Sequence, residues 1–421
     1  MQSYKVRYGD AFTVSLPGLR DALVLVSEPE AVKDVFALGS DEGHAGKANF
    51  VLKPFLGEHS LLLLDGAEHL RQRKMMLPAF HGERMSAYGR AMLDLAHASI
   101  DRWPVGRPFP VHRPMQAITL QVIIRTVFGI DEGPRFVELA DMLTRALDAG
   151  SWPGLLFPAM QRDLGRFSPW GRFVHYGTRA SEMLRDEIRS GRRRGTAGRT
   201  DVLAMMLEAR DEGGREMTED EVHDELLTLL TAGHETSATA LAWALRWILP
   251  DTSLLARLRA EIATAGDDPQ RIAKLELLDA TVKESLRLQP VIPMVGRVLQ
   301  QPARIGNLSL PAGVMVAPSI YLMHRRASLY PDPAAFRPER FFTFKPAPWE
   351  WLPFGGGLRR CIGAAFSMYE MKMVLAAMLP RVDARLASDR VHAQRRAVTV
   401  TPSRGLPIVV TARRSRPSAS N

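Results

Sequence analysis

The chain opens on a strand-like pattern. Residues 12–16 and 22–26 alternate or run β-branched around Pro17-Gly18, which predicts a hairpin. Short helices are predicted over 30–38 and 65–77, the second stopped by Pro78 after the apolar run 61–64. From Met85 to about Pro250 apolar residues recur at helical spacing, interrupted at Trp103-Pro104, Gly129, 150–153 and the arginine-rich stretch 191–195. Strand-like pieces return between 291 and 316, including 314–317, with turn residues at Pro293, Pro302 and Pro311. Residues 331–354 hold too much proline and aromatic side chain for regular structure, and 397–411 reads as strand. The pattern predicts a mainly α fold with a smaller β part (α+β) in one domain over 1–421. Helices fill about 65–290 and 355–385; the β part takes about 8–28, 291–320 and 395–412.

The most informative helix is predicted over 218–249. Thr218 and Glu221 make a capping-box pattern, acids crowd the first turn and Pro250 stops it. At ~1.5 Å per residue it spans about 45 Å. Its middle, 226–232 and 238–244, is nearly all apolar and predicts burial. Into that core the sequence places Ala232-Gly233-His234-Glu235-Thr236. A helical glycine costs ~1 kcal/mol against alanine, and a buried carboxylate costs more unless paired. A polar seam between packed helices and a functional break in the helix both answer to this pentapeptide.

Composition narrows the classes. The chain of 421 residues is 46% hydrophobic, enough for a large core. A single cysteine excludes internal disulfides and multi-cysteine zinc or iron–sulfur sites, and fits a reducing, cytoplasmic compartment. No apolar run approaches the ~18–20 residues of a membrane span, and the polar start has no signal-peptide core. The net charge of +9 invites a nucleic-acid reading. Much of the excess, however, lies in Arg192-Arg193-Arg194 and in the tail Arg413-Arg414-Ser415-Arg416, both predicted to be solvated and mobile. With no zinc-finger spacing or aromatic RNA-binding signature, no nucleic-acid partner is expected.

The lone Cys361 sits in Phe354-Gly355-Gly356-Gly357-Leu358-Arg359-Arg360-Cys361-Ile362-Gly363, just before an apolar stretch, 364–379, that reads as a helix. Glycines let backbone approach a flat ligand and turn N–H groups toward sulfur. The helix start and the charges of Arg359 and Arg360 favour thiolate. Phe-Gly-x-Gly-x-Arg-x-Cys-x-Gly, matched at every fixed position, resembles the haem-binding loop of the cytochrome P-450 family. Three further motifs in order extend the resemblance over nearly the whole chain. Glu235-Thr236 resembles the acid–threonine pair of the family's oxygen-binding helix. Glu284-Ser285-Leu286-Arg287 and Pro338-Glu339-Arg340-Phe341 resemble its Glu-x-x-Arg and Pro-Glu-Arg-Phe segments. The proline-rich leader usual in the family before Tyr8-Gly9-Asp10 is absent, and Ser237 stands where a second threonine is common.

The resemblance implies a cytochrome P-450 fold and haem b held by Cys361 as thiolate ligand, with Phe354, Gly355, Gly363, Ala232 and Gly233 against it. It implies catalytic roles for Thr236 and Glu235 in oxygen binding and proton delivery. The helix is expected to loosen there to admit dioxygen. Glu284, Arg287 and Arg340 would form a buried structural triad, although Glu and Arg three apart are by themselves an ordinary surface pair. His69, Arg73, Arg297 and Arg359 stand where the family contacts the haem propionates. On spacing alone, a basic surface helix is the better reading of His69 and Arg73.

The implied activity is a monooxygenase, in which thiolate ligation favours O–O cleavage of the co-substrate O2. Electrons come from NAD(P)H through separate partners, a ferredoxin or flavodoxin and its reductase. The protein is expected to be a monomer. The family's pocket positions, Leu229, Val291, Ile292, Met294 and Val295, with 50–55 and 152–173, are mostly apolar, which favours a terpenoid, steroid-like or fatty-acyl substrate. A core would use the same residues. A peroxide-dependent peroxygenase and a non-catalytic haem sensor are the alternatives.

Overall fold

The computed structural model describes residues 1–15, 23–80, 84–129 and 133–416, the side chains of 84–87 excepted. Seven helices position the site: α1 Gly66–Met76, α2 His112–Phe128, α3 Pro134–Gly150, α4 Pro169–Arg194, α5 Glu219–Ile248, α6 Glu276–Leu288 and α7 Ala364–Met378. The capping box of α5 forms: Glu221 N–H donates to Thr218 Oγ1 at 3.1 Å, and Thr218 N–H to Glu221 Oε2 at 2.8 Å. Leu226, Leu230, Leu241, Ala242, Leu245 and Ile248 are fully buried along α5, which packs most extensively on α2. Helix α2 stops where Gly129 takes φ 61°, a left-handed cap for which glycine carries no Cβ penalty.

The β part holds a five-stranded sheet in the order Ala11–Val14, Leu23–Val26, Met315–Pro318, Arg297–Leu299, Gly43–His44. Leu23–Val26 is buried at all four positions because it pairs antiparallel to Ala11–Val14 and parallel to Met315–Pro318, placing it inside the sheet. The turn Pro17-Gly18 lies outside the described residues. Near the C-terminus, Ala393–Arg396 pairs with Thr399–Pro402, and Pro407–Arg413 runs between Pro108–Pro110 and Val382–Leu386. No helix among the described residues is long and apolar enough to cross a membrane.

Three expectations change. The arginine run at 192–194 is no mobile connector but the last turn of α4. Gly191 is buried there against Leu207, Arg192 donates to Met217 O at 3.0 Å, and Arg194 meets Glu187 at 3.5 Å. The described tail is pinned: Arg414 pairs with Asp383 at 2.6 Å, and Arg416 with Asp94 at 2.8 Å and Asp267 at 3.0 Å. Within 331–354, Arg340–Thr343 forms one helical turn.

Candidate active site

The loop before α7 is shaped by Phe36. A Cβ on Gly356 would lie 2.7 Å from the Phe36 ring, and one on Gly357, at φ 65°, would lie 2.2 Å from Phe36 O. Gly355 also takes a positive φ of 66°. Cys361 N–H donates to Phe354 O at 2.9 Å, which closes the loop. The side chain of Cys361 is accessible. Yet it lies deep enough that desolvation pushes its thiol pKa up, against the Gly363 N–H and the charges of Arg73 and Arg360. Both observations fit a sulfur at the floor of a recess. Arg359 acts elsewhere, donating to Leu61 O at 3.1 Å, Leu64 O at 2.6 Å and Asp65 Oδ1 at 2.9 Å.

His69, Arg297 and Arg359 line one small cavity with Asp65. They repel one another in a poorly solvated place. Desolvation and the charges of Arg359, Arg73 and Arg297 push His69 down to about 3. Desolvation and Arg359 bring Arg297 down to about 10; desolvation brings Arg359 to about 10 as well, Asp65 opposing it and Arg73 adding to the fall. Arg297 is buried, and its guanidinium donates only to Gly296 O among the described residues. Neither His69 nor Arg73 makes a side-chain hydrogen bond among them. Among the described residues, Asp65 is the one carboxylate paired into the group. Crowded cations with too little counter-charge suit a dianionic ligand. Gly363 has open space where a Cβ would stand. An accessible deep sulfur, that open floor and two missing negative charges fit a thiolate-bound haem with its two propionates.

Across from the loop, α5 runs unbroken through 232–236, so the expected loosening is absent. Ala232 is exposed, and Thr231, Gly233, Glu235 and Thr236 around it are half-buried, between the buried stretches of α5. Gly233 also lets α2 approach: a Cβ there would stand 3.1 Å from Ile123 Cδ1 of α2. Thr236 Oγ1 donates to Ala232 O at 2.6 Å. Glu235 turns the other way. It accepts from Gln116 Nε2 at 2.7 Å and lies 3.2 Å from Arg396 Nε and 3.6 Å from His112 Nε2. Burial raises the Glu235 pKa, while Arg396 and then Gln116 oppose it. Arg396 also donates to Asp148 at 2.9 Å, and Asp148 accepts from the exposed Arg113 at 2.6 Å. His112 bonds Thr239 Oγ1 at 3.1 Å and stays neutral, its pKa pushed to about 3 by burial and Arg396.

The triad residues meet. Arg287 and Glu284 are both 0% exposed and joined by two hydrogen bonds of 2.6 and 2.8 Å. Arg340 Nε donates to Glu284 Oε1 at 3.0 Å, as does Arg337 N–H at 2.9 Å.

The family model for cytochrome P450 matches residues 1–406. Cytochrome P450 135B1 of Mycobacterium tuberculosis is 41% identical over 413 residues, covering 97% of this chain and 86% of the relative. The chain belongs to the cytochrome P450 family. Cytochrome P450 135A1 of the same organism is 37% identical over 376 residues, covering 89% of this chain and 82% of the relative. A retinoic acid-bound cyanobacterial P450, CYP120A1, superposes with a TM-score of 0.85 at 24% identity, covering 98% of this chain and 93% of that one. The cytochrome P450 fold therefore carries the site, and the protein is a P450 monooxygenase of the haem-thiolate class.

Of the positions expected to line a substrate pocket, four join the apolar clusters of the fold. Leu229 and Val291 are buried in the main core, while Met294 and Val295 pack against the apolar clusters of the β part. Ile292 is partly exposed and belongs to none of these clusters. Phe55 packs on Trp170 and Phe173, whereas Phe50 lines a cleft of about 410 Å³ with Val51, Pro54, Leu156, Pro158 and Gln161. Sequence reasoning missed Gln116, His112, Arg396 and Asp148. Arg396 lies far along the chain from Glu235, and no spacing pattern links them.

Proposed function

We propose that Cys361 ligates haem b and that His69, Arg73, Arg297 and Arg359 receive the propionates, so that the protein oxygenates an apolar small molecule. The crowding of the Arg73, Arg297 and Arg359 charges around a neutral His69, beside an accessible, deeply set sulfur, carries this reading. The bound haem supplies oxygen activation, with one atom of O2 inserted into a C–H bond and the other leaving as water at the expense of two electrons and two protons.

The chain's own residues manage the protons. Burial raises the pKa of Glu235 and so favours proton uptake there, while Gln116 and Arg396 orient its carboxyl. Asp148 and Arg113 continue the polar path to solvent. Thr236 leaves Ala232 O to donate into the recess, a single χ1 rotation. Ala232 leaves room there. Glu284, Arg287 and Arg340 hold the loop from behind.

The substrate class is a terpenoid, steroid-like or fatty-acyl molecule, supported by Phe50, Val51, Leu156 and Pro158 along the cleft. Electrons arrive from NAD(P)H through a ferredoxin or flavodoxin and its reductase, and the protein acts as a monomer. A panel of such substrates, screened by the shift of the haem absorption band and then supplied with ferredoxin, reductase and NADPH, tests this. Oxygenated product is expected with the redox partners. Product formed only from added peroxide favours a peroxygenase, and a band shift without turnover favours a sensor.

A further inference from the structure

Away from the cysteine loop, the seam between α4 and α5 holds a hydroxyl, an imidazole and a carboxylate in one hydrogen-bonded row. Ser181 Oγ of α4 lies 2.6 Å from His223 Nε2 of α5, and His223 Nδ1 lies 2.9 Å from Asp224 Oδ1. The row is fixed from both sides. Arg185, one helical turn beyond Ser181, pairs with Asp220 at 2.8 Å and lies 3.6 Å from Glu219, so the two helices run antiparallel here. Asp224 is held in turn by the backbone: His59 N–H donates to its Oδ2 at 3.0 Å, and a Cβ on Gly57 would stand 2.2 Å from its carboxyl.

Exposure is graded along the row. His223 is 5% and Asp224 7% exposed, whereas Ser181 is half-buried and faces solvent at one edge of the seam. One turn before Ser181, Gly177 has no heavy atom within 4 Å of where a Cβ would stand, which leaves the seam open on that side. Leu227, one turn beyond His223 on α5, is half-buried and gives that opening an apolar wall. A carboxylate beside Nδ1 keeps the ring proton there and leaves Nε2 to accept from the hydroxyl, the tautomer that a general base needs. A serine placed this way can lose its proton as it attacks, which an unassisted hydroxyl does not do at neutral pH.

We propose that Ser181 is an activated nucleophile and that this seam hydrolyses small activated esters. The Ser181 oxygen adds to the ester carbonyl while its proton passes to His223 Nε2. The C–O bond to the leaving alcohol then breaks, and that proton goes to the departing oxygen. Water repeats the sequence on the acyl-serine, which releases the carboxylic acid and restores the hydroxyl. Arg185, on the same face of α4, supplies positive charge for the oxyanion that forms in both halves. This activity goes beyond the oxygenation proposed above and uses none of its residues, so either reading can fail alone.

The test treats the holoprotein with a biotinylated fluorophosphonate, with peptide mass spectrometry to locate the adduct, and separately with p-nitrophenyl acetate. An adduct is expected on Ser181, with repeated release of p-nitrophenolate from the ester. Ser181→Ala should lose both. His223→Gln should slow adduct formation by about a hundredfold or more. An unchanged absorption spectrum in each variant shows that the fold and the cysteine loop survive. Three results would each overturn the proposal: no adduct on Ser181, an adduct without ester turnover, or labelling at an unchanged rate in His223→Gln, which would make the row a packing contact between helices.

Discussion

Leu352 donates its backbone N–H to Nε2 of His324 at 2.7 Å, and this bond links the buried ion triad to the cysteine loop. His324 Nδ1 faces Arg287 O at 3.1 Å, while Arg287 Nη1 donates to His324 O at 2.7 Å. With Nε2 accepting, Nδ1 carries the proton, so the ring must be neutral. Burial and the Arg287 charge agree, pushing its pKa to about 3. Leu352 O then accepts from Gly355 N–H at 2.9 Å, the start of the glycine turn before Cys361. The triad thus reaches the loop through one imidazole.

Breaking that chain should empty the site. Glu284→Gln strands the fully buried Arg287 guanidinium without its counter-charge and should cost ~3–5 kcal/mol. His324→Ala leaves the Leu352 N–H unsatisfied, at ~1–3 kcal/mol. Urea unfolding gives the stability, and the haem-to-protein absorbance ratio gives occupancy. Both variants should fall in both, Glu284→Gln further. Normal haem content in either would contradict the linkage.

Gly357→Ala should be more severe than its size suggests. Its Cβ would meet the Phe36 carbonyl at 2.2 Å in a backbone conformation that alanine avoids. Purified protein should carry little haem, while Phe36→Ala in the same background should not rescue it, because the clash is with backbone. Full haem content would show that the loop can rearrange.

Local signals made much of this architecture readable. The Thr218–Glu221 box, the apolar middle of α5 and Gly129 at the end of α2 announce themselves within a few residues. The arginine run at 192–194 misled because charge suggests solvation and says nothing of helix, and α4 keeps its buried face through Gly191. The Phe36 contact explains the glycines at 356 and 357 by packing, a cause the motif alone does not reveal. The partners of Glu235 come from α2, α3 and a C-terminal strand, and only the folded chain brings them together.

Arg396 should tune Glu235 and not merely support it. Its charge lowers the carboxyl pKa against burial, so Arg396→Gln should leave Glu235 protonated to higher pH. The pH profile of product formation should then shift upward. Thr236→Ala should instead divert electrons, with NADPH consumed into hydrogen peroxide more than into product. A pH profile unmoved by Arg396→Gln, or coupling unchanged by Thr236→Ala, would remove that residue from the proton path.

Glu370 makes stability depend on pH. It is 1% exposed on α7, and burial raises its pKa to about 8 from an ordinary 4.5, opposed by a hydrogen bond to Ser237. Between those values the folded state holds a proton that the unfolded chain has lost. This contribution is complete below about 4.5 and is lost as pH climbs through about 8, by up to ~1.4 kcal/mol per unit. Glu370→Gln should raise the urea midpoint more at alkaline than at acid pH. Equal changes at both would place the titration elsewhere.

The central claim is a bond between Cys361 and haem iron. The most direct measurement is the absorption spectrum of the purified holoprotein reduced under carbon monoxide, beside that of Cys361→His. Wild type should show the strongly long-wavelength-displaced Soret band of thiolate ligation, and Cys361→His should lose it. An undisplaced band in the wild type, or a displaced band that persists without Cys361, would contradict the account.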